Sequence, residues 1–240
     1  MNDEFYHLLA GLIDSFFWHG ELLGSENLPQ KGPAVFIGNH LGSLGPIGAA
    51  TTIPLRLYPW IHDHMVDYEK AAAYLNMDFV ERRLKLKPPV SLAVSKVLSK
   101  ITVPMFHSMG CIPVYRVYEN IEITWNKSLS CLCEGKFLLV FPEDESLGFN
   151  NIINMAPFQK SVFRLGELYY SKTKERLAFF PVAIHPSRRV QIGSPILYNP
   201  ANLPQKERRR LKNTVEKAVV RMYLGLSETR EANYIAHPLQ

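Results

Sequence analysis

Three short runs of apolar, β-favouring residues constrain this chain more than any other feature: Ala34-Val35-Phe36-Ile37, Phe137-Leu138-Leu139-Val140-Phe141 and Leu177 to Ile184. None alternates apolar with polar residues. Each therefore reads as a strand buried on both faces, the condition of a parallel sheet covered on either side. Weaker strand signals lie at Leu55–Ile61, at Ile112–Tyr118 and, as an edge strand, at Val190–Ile196. Between them, helical spacing runs over 66–108, Ile121–Cys133, Ser161–Ser171 and 205–226, the last with Leu211, Val215, Ala218, Val219 and Met222 inward. Strands alternating with helices predict an α/β fold whose mostly parallel central sheet has helices on both faces. Ahead of it, Phe5, Leu8, Leu9, Leu12, Ile13, Phe16 and Phe17 recur at helical spacing and predict an amphipathic N-terminal helix. No repeat or composition break follows, so the expected organisation is this helix over 1–20 and one α/β domain over 21–240.

With 240 residues, 47% of them hydrophobic, the chain can build a core without covalent staples, and a disordered or fibrous chain is excluded. Three cysteines cannot all pair, and Cys131 and Cys133 stand two apart, which argues against a disulfide framework and for a reducing compartment. Charge is uneven: residues 1–80 hold three basic and nine acidic groups, residues 81–240 hold 24 and 13. A basic remainder suits an anionic partner. Nucleic acid is disfavoured, because the basic helix Lys206–Lys217 comes with no recognisable DNA- or RNA-binding signature. The longest apolar stretch, Gly45 to Ile61, is interrupted by Pro46, Pro54, Arg56 and Pro59 and falls short of a membrane span. The first basic side chain is Lys31, so no secretory n-region is expected. The expected location is cytoplasmic, with peripheral contact at the inner membrane face. The N-terminal helix carries Asp3, Glu4 and Asp14 but no Lys or Arg, which favours packing against protein over packing against lipid.

Polar residues gather where the predicted strands end: Asn39-His40, His62-Asp63-His64, Glu143-Asp144-Glu145 and His185. In open α/β sheets, ligands bind outside these carboxyl ends. A histidine presented there, as His40 is, can serve as a general base near neutral pH. His62 and His64 would share one side of a strand, yet no further ligands complete a metal set, so no metal is expected. No Gly-rich phosphate loop appears, and no bound cofactor is expected.

Four segments in order add to this reading: Gly38-Asn39-His40-Leu41-Gly42-Ser43-Leu44-Gly45, Gly110-Cys111-Ile112-Pro113-Val114-Tyr115-Arg116, Phe141-Pro142-Glu143-Asp144-Glu145-Ser146 and Phe180-Pro181-Val182-Ala183-Ile184. Together they resemble the glycerophospholipid acyltransferase family, which includes the bacterial 1-acyl-glycerol-3-phosphate acyltransferases. The likeness spans Leu23 to Tyr198. It implies transfer of a fatty acyl group from acyl-CoA or acyl carrier protein to a lysophospholipid or related lipid acceptor. By that resemblance His40 is the base, Asn39, Ser43 and Arg116 contact substrate, Arg116 at the acceptor headgroup, and Glu143 shapes the site.

Two departures matter. The family places an orienting Asp five residues after the histidine, where this chain has Gly45. In serine proteases such a carboxylate is worth ~10⁴ in kcat. Three readings stay open: Asp63 or Asp144 replaces it, His40 works unaided, or the chain no longer catalyses and instead binds lipid or an acyl carrier. The third segment of the family reads Phe-Pro-Glu-Gly-Thr-Arg, but here Asp144, Glu145 and Ser146 follow Glu143. Losing a cation and gaining carboxylates disfavours a phosphate monoester and favours a neutral, zwitterionic or cationic acceptor. Two basic clusters, Arg82-Arg83-Lys85-Lys87 and Arg208-Arg209-Arg210-Lys212, are candidates for the anionic donor or for lipid headgroups.

Overall fold

A computed structural model describes residues 3–42, 44–82, 84–115 and 120–236. Seven α-helices and eight strands follow in chain order: α1 (Asp3–Ile13), β1 (Glu21–Leu23), β2 (Ala34–Gly38), α2 (Leu44–Thr52), β3 (Leu57–His62), α3 (Ala71–Leu75), α4 (Val90–Met109), β4 (Ile112–Val114), α5 (Ile121–Cys133), β5 (Phe137–Val140), α6 (Arg164–Thr173), β6 (Ala178–His185), β7 (Arg189–Ile192), β8 (Ile196–Leu197) and α7 (Pro204–Ala236). The described residues divide into two compact units, 58–128 and 3–57 with 129–236, a division that no composition break announces.

In the larger unit the apolar runs become neighbouring strands. β2 pairs parallel with β5 on one side and with β6 on the other, with Ile37 opposite both Val140 and Pro181. β7 and β8 pair antiparallel with β6, and β1 pairs parallel with β7. The sheet is mixed but mostly parallel, as expected. The segment expected as an edge strand is instead flanked on both sides, because β1 closes the ladder beyond β7. Successive residues of a strand face opposite ways. Ala34, Phe36, Phe180, Val182 and Ile184 meet Trp18, Ala49 and Ile53 in one core cluster. The opposite face receives α7 and the turn before α6: Phe179 lies against Phe163, and Gly193 is wedged between Pro181 and Met222. Leu211, Val215, Val219, Met222, Tyr223 and Leu226 of α7 are buried, each contributing about 1.5–3 kcal/mol for its removal from water. Ala218, expected inward, is only half-buried.

Helix α2 lies in the stretch that its Gly and Pro content made look broken. Pro46 falls in the first turn, where the missing N–H costs nothing. Gly48 is needed for close packing, since a Cβ there would come 2.5 Å from the Trp18 ring. The N-terminal helix forms; of its expected apolar row, Phe5 and Leu8 are 54% and 60% exposed, whereas Tyr6 and Trp18, outside that row, are buried. After Ile13 the backbone winds as a π-helical turn, Asp14–Trp18, which ends the helix. Asp3 pairs with Arg56, and the Tyr6 hydroxyl donates to the Ala50 carbonyl at 3.5 Å, so the helix is fastened to its own unit.

The second basic cluster is mostly neutralised within the fold. Arg208 pairs with Glu167, Arg210 with the buried Glu207, and Lys212 with Glu216. Glu207 also accepts from the Asn199 N–H at 2.8 Å and the Asn202 amide at 2.6 Å. Burial pushes its carboxyl pKa up, but the hydrogen bonds from Arg210, Asn202 and Asn199 outweigh burial and hold it below the ordinary Glu value.

In the smaller unit β3 and β4 pair parallel, Trp60 opposite Ile112. The helix expected over 66–108 is several pieces: a 3₁₀ turn Asp63–Val66, then α3, a π-helical turn Asn76–Glu81 and α4. Pro88-Pro89 separates the last two, as a residue before proline disfavours helix. The strand expected to reach Tyr118 ends at Val114, and residues 116–119 lie outside the described residues. Trp60 donates to the Ser128 hydroxyl at 2.9 Å, and Thr124 donates to the Pro113 carbonyl at 2.8 Å, tying α5 to both strands.

Candidate active site

β2 is flanked by parallel strands on both sides, so its carboxyl end opens into the crevice position of such sheets. Two residues leave it there. Asn39 is fully buried, and its amide is spent on β6: the side-chain nitrogen donates to the Ile184 carbonyl at 2.9 Å and the oxygen accepts the Ile184 N–H at 2.8 Å. The residue expected at the substrate thus extends the β2–β6 ladder and fixes where the chain departs. His40 follows and is exposed. Its ring stands edge-on to Phe141, centroids 5.5 Å apart and planes at 79°.

Glu143, two residues beyond Phe141, grips the His40 main chain. One carboxylate oxygen accepts the His40 N–H, and the other accepts the Ala156 N–H at 2.6 Å. Burial raises the Glu143 pKa; the two N–H donors oppose that, and the neighbouring Glu145 charge adds to it, leaving the group above the ordinary Glu value. Glu143 lies in the first stem of a hairpin whose second stem follows Ala156. Gln159 donates its N–H to the Pro142 carbonyl at 2.7 Å, and Asp144 donates its own to the Pro157 carbonyl at 3.0 Å. Farther out, Asn150 and Met155 exchange backbone bonds. The tip exposes Leu147, Phe149 and Ile152, and the second stem is tied to α7 where the Phe158 N–H donates to Glu216 at 2.7 Å.

Asp144 belongs to the first stem. Its carboxylate accepts from the Ser146 hydroxyl at 2.6 Å, the Ser146 N–H at 3.1 Å and the Gln159 amide at 2.9 Å. Ser146, at the position of the family's arginine, is therefore a partner of Asp144. Asp63 lies in the smaller unit, 3.0 Å from His62 Nδ1, and the His62 ring stacks on Tyr74 at 4.5 Å. Ser43 and Arg116 lie outside the described residues. His185, at the end of β6, is buried between the Ser187 and Ser227 hydroxyls at 2.7 and 3.0 Å and packs on Tyr223. Its bonds make it part of the scaffold.

Gly45 sits in the first turn of α2, tight against the residue it follows by five. A Cβ there would overlap the His40 carbonyl oxygen and stand 2.7 Å from its carbon. These are backbone atoms, so no rotamer change relieves the overlap. The His40 carbonyl thus occupies the place that a Cβ at position 45 would take.

His40, Asn39, Glu143 and Asp144 thus share one unit, with Phe141 as a wall and Ala156 as an anchor that the sequence alone did not single out. Phe141 stood within a quoted motif; Gly148 and Asn150-Asn151 were the only local signs of the hairpin. Chemically the arrangement offers an exposed imidazole on a fixed main chain beside an aromatic wall, with a hairpin rooted at Glu143 whose tip is apolar. Cys111 is no rival nucleophile, because burial pushes its thiol up to about 12. Among the described residues no three His, Cys, Asp or Glu side chains gather as a metal set, and no helix is long and apolar enough to cross a membrane.

No family model matches the chain, and no curated protein sequence matches it. Among solved structures it is similar to the crystal structure of the 1-acyl-sn-glycerophosphate (LPA) acyltransferase PlsC from Thermotoga maritima, with a TM-score of 0.56 over 95% of this chain and 84% of that one, at 14% identity. What the two chains share at that identity is the α/β fold.

Proposed function

We propose that this chain is an acyltransferase that moves a fatty acyl group from acyl-CoA or acyl carrier protein to a lysophospholipid or related lipid acceptor. The observation that carries this reading is the exposed His40 imidazole at the carboxyl end of β2, its backbone held by Glu143, on a fold similar to that of an LPA acyltransferase. Neutral His40 takes the proton of the acceptor hydroxyl as the oxygen bonds to the thioester carbonyl carbon. The tetrahedral oxyanion then collapses, the carbon–sulfur bond breaks, and the imidazolium returns its proton to the leaving thiolate. Exposed Leu147, Phe149 and Ile152 on the hairpin suit a substrate with an acyl chain. Glu143, Asp144 and Glu145 in succession make an acid-rich rim, which suits a neutral, zwitterionic or cationic acceptor. Asp144 supplies the charge that steadies the imidazolium, and Ser43 holds the acceptor.

The test is free-thiol release from purified protein given acyl-CoA or acyl carrier protein thioesters and a panel of acceptors. His40→Ala should reduce turnover by about 10²–10⁴ or more while leaving the fold intact, since the side chain is exposed. Full activity in that variant defeats the mechanism. The closed backbone at Gly45 favours a second reading, a lipid- or acyl-carrier-binding protein that has lost catalysis. Saturable ligand binding with no thiol release across the panel would select it.

A further inference from the structure

Helix α4 is amphipathic in the opposite sense to a water-facing helix. Its buried row is Ser91, Ser95, Ser99 and Val103, packed toward α3. Those serines need no outside partner: Ser91 donates to Glu81 at 3.1 Å, and Ser95 and Ser99 donate to the Leu92 and Lys96 carbonyls, both at 3.0 Å. The outward row is apolar. At 100° per residue, Val90, Val97 and Ile101 fall within about 40° of one another, and they are 55%, 60% and 61% exposed. Lys96 and Lys100 lie along one margin of this row, exposed and without an ion pair among the described residues. The segment just before the helix adds exposed Leu84, Lys85 and Lys87. Arg82, also exposed, lies 3.7 Å from Asp78. From Arg82 to Tyr115 the chain holds six Lys and Arg and no Asp or Glu.

We propose that α4 is a docking surface for an anionic lipid bilayer, with Val90, Val97 and Ile101 seated between headgroups and Lys96, Lys100, Arg82, Lys85 and Lys87 on the lipid phosphates. An apolar stripe bordered by lysines is the pattern of an interfacial helix, the lysine stems covering apolar surface while their ammonium groups reach the headgroups. Charge complementarity selects the occupant. A second copy of this segment would bring six cations against six cations with no acid of its own to offset them. A negatively charged leaflet attracts each of them.

Vesicle co-sedimentation of the full chain tests this without requiring acyl transfer, so its failure and the failure of the enzymatic reading are separable. The wild type should bind equimolar phosphatidylcholine–phosphatidylglycerol vesicles at least tenfold more tightly than phosphatidylcholine alone. The double variant Val97→Ser/Ile101→Ser should bind at least tenfold more weakly, with Val97→Thr/Ile101→Thr as the shape-conserving companion if the serine pair does not fold. Lys96→Gln/Lys100→Gln should lose roughly tenfold and much of its salt dependence. Phe5→Ser/Leu8→Ser on α1 should bind like the wild type. The proposal is overturned by absence of wild-type binding, by unchanged binding in the α4 variants, by loss that maps to Phe5 and Leu8, or by a wild-type dimer that the α4 variants dissolve.

Discussion

Replacing Gly45 with Asp restores the carboxylate that the sequence resemblance leads one to look for, yet the structure predicts that it damages the site. The new Cβ would stand 2.7 Å from the His40 carbonyl carbon and closer still to its oxygen. Ordinary contact begins at 3.4 Å, so the α2 start or the His40 peptide must move by more than an ångström. Overpacking of this kind costs about 1–3 kcal/mol, and the upper end applies because both parties are backbone. Exchanging glycine for a residue with better helix propensity and placing an acid in a first helical turn return at most about 1 kcal/mol. A net loss near 2 kcal/mol corresponds to a fall in Tm of roughly 4–8 °C for a chain of this size. Thermal unfolding of Gly45→Asp beside Gly45→Ala measures it, since both carry the Cβ and only one carries the charge. Both should fall together, and Gly45→Asp should show no gain in thiol release. A Gly45→Asp protein with unchanged or higher Tm and raised turnover would refute the steric argument.

Three further outcomes follow from bonds described above. Glu143→Gln places an amide NH₂ against one of two N–H donors and should cost about 1–3 kcal/mol, read by denaturant unfolding. Because the folded pKa of Glu143 is raised, its titration stabilises the fold fully below the ordinary value of 4.5 and ceases to do so as pH rises through the raised value; the wild-type advantage over Glu143→Gln should shrink across that rise. Glu207 has the opposite sign: its folded pKa is lowered, so its contribution is full above 4.5 and is lost as pH falls through the folded value, and the gap between wild type and Glu207→Gln in Tm should close on acidification. Asn39→Asp sets a carboxylate oxygen against the buried Ile184 carbonyl and should lower stability by about 1–3 kcal/mol, checked by the same unfolding assay.

The central strands were legible because wholly apolar β-rich runs have few alternatives, and their parallel arrangement followed from the helices between them. The exposure of Phe5 and Leu8 was not legible, because helical spacing marks which residues share a face and not which neighbour covers it, whereas Tyr6 next to them is buried and bonded to Ala50. α2 was hidden by Gly45, Pro46 and Gly48, which read as breakers until Trp18 is seen filling the space a Cβ would take. At the site, the sequence marked His40 and Glu143 as polar residues at strand ends. It could not reveal the bond between them, which spans 103 positions and depends on β2 and β5 lying side by side. Nor could it distinguish a carboxylate merely absent from position 45 from a loop that has no room for one. In the basic cluster at Arg208–Lys212 the pairing of Arg208 was hidden, because Glu167 lies 41 positions away.

The pair of main-chain groups held by Glu143 has a consequence for how this protein can diverge. The outer part of the hairpin, from Ser146 to Asn154, hangs from two stems that are already locked to each other and to α7. Lengthening, shortening or recolouring that outer part leaves the imidazole where it is, since surface loops tolerate added residues at small entropic cost. On the function proposed above, ligand preference and proton transfer are thereby insulated: the first can be rewritten residue by residue at the loop's extremity while the second stays moored to the sheet.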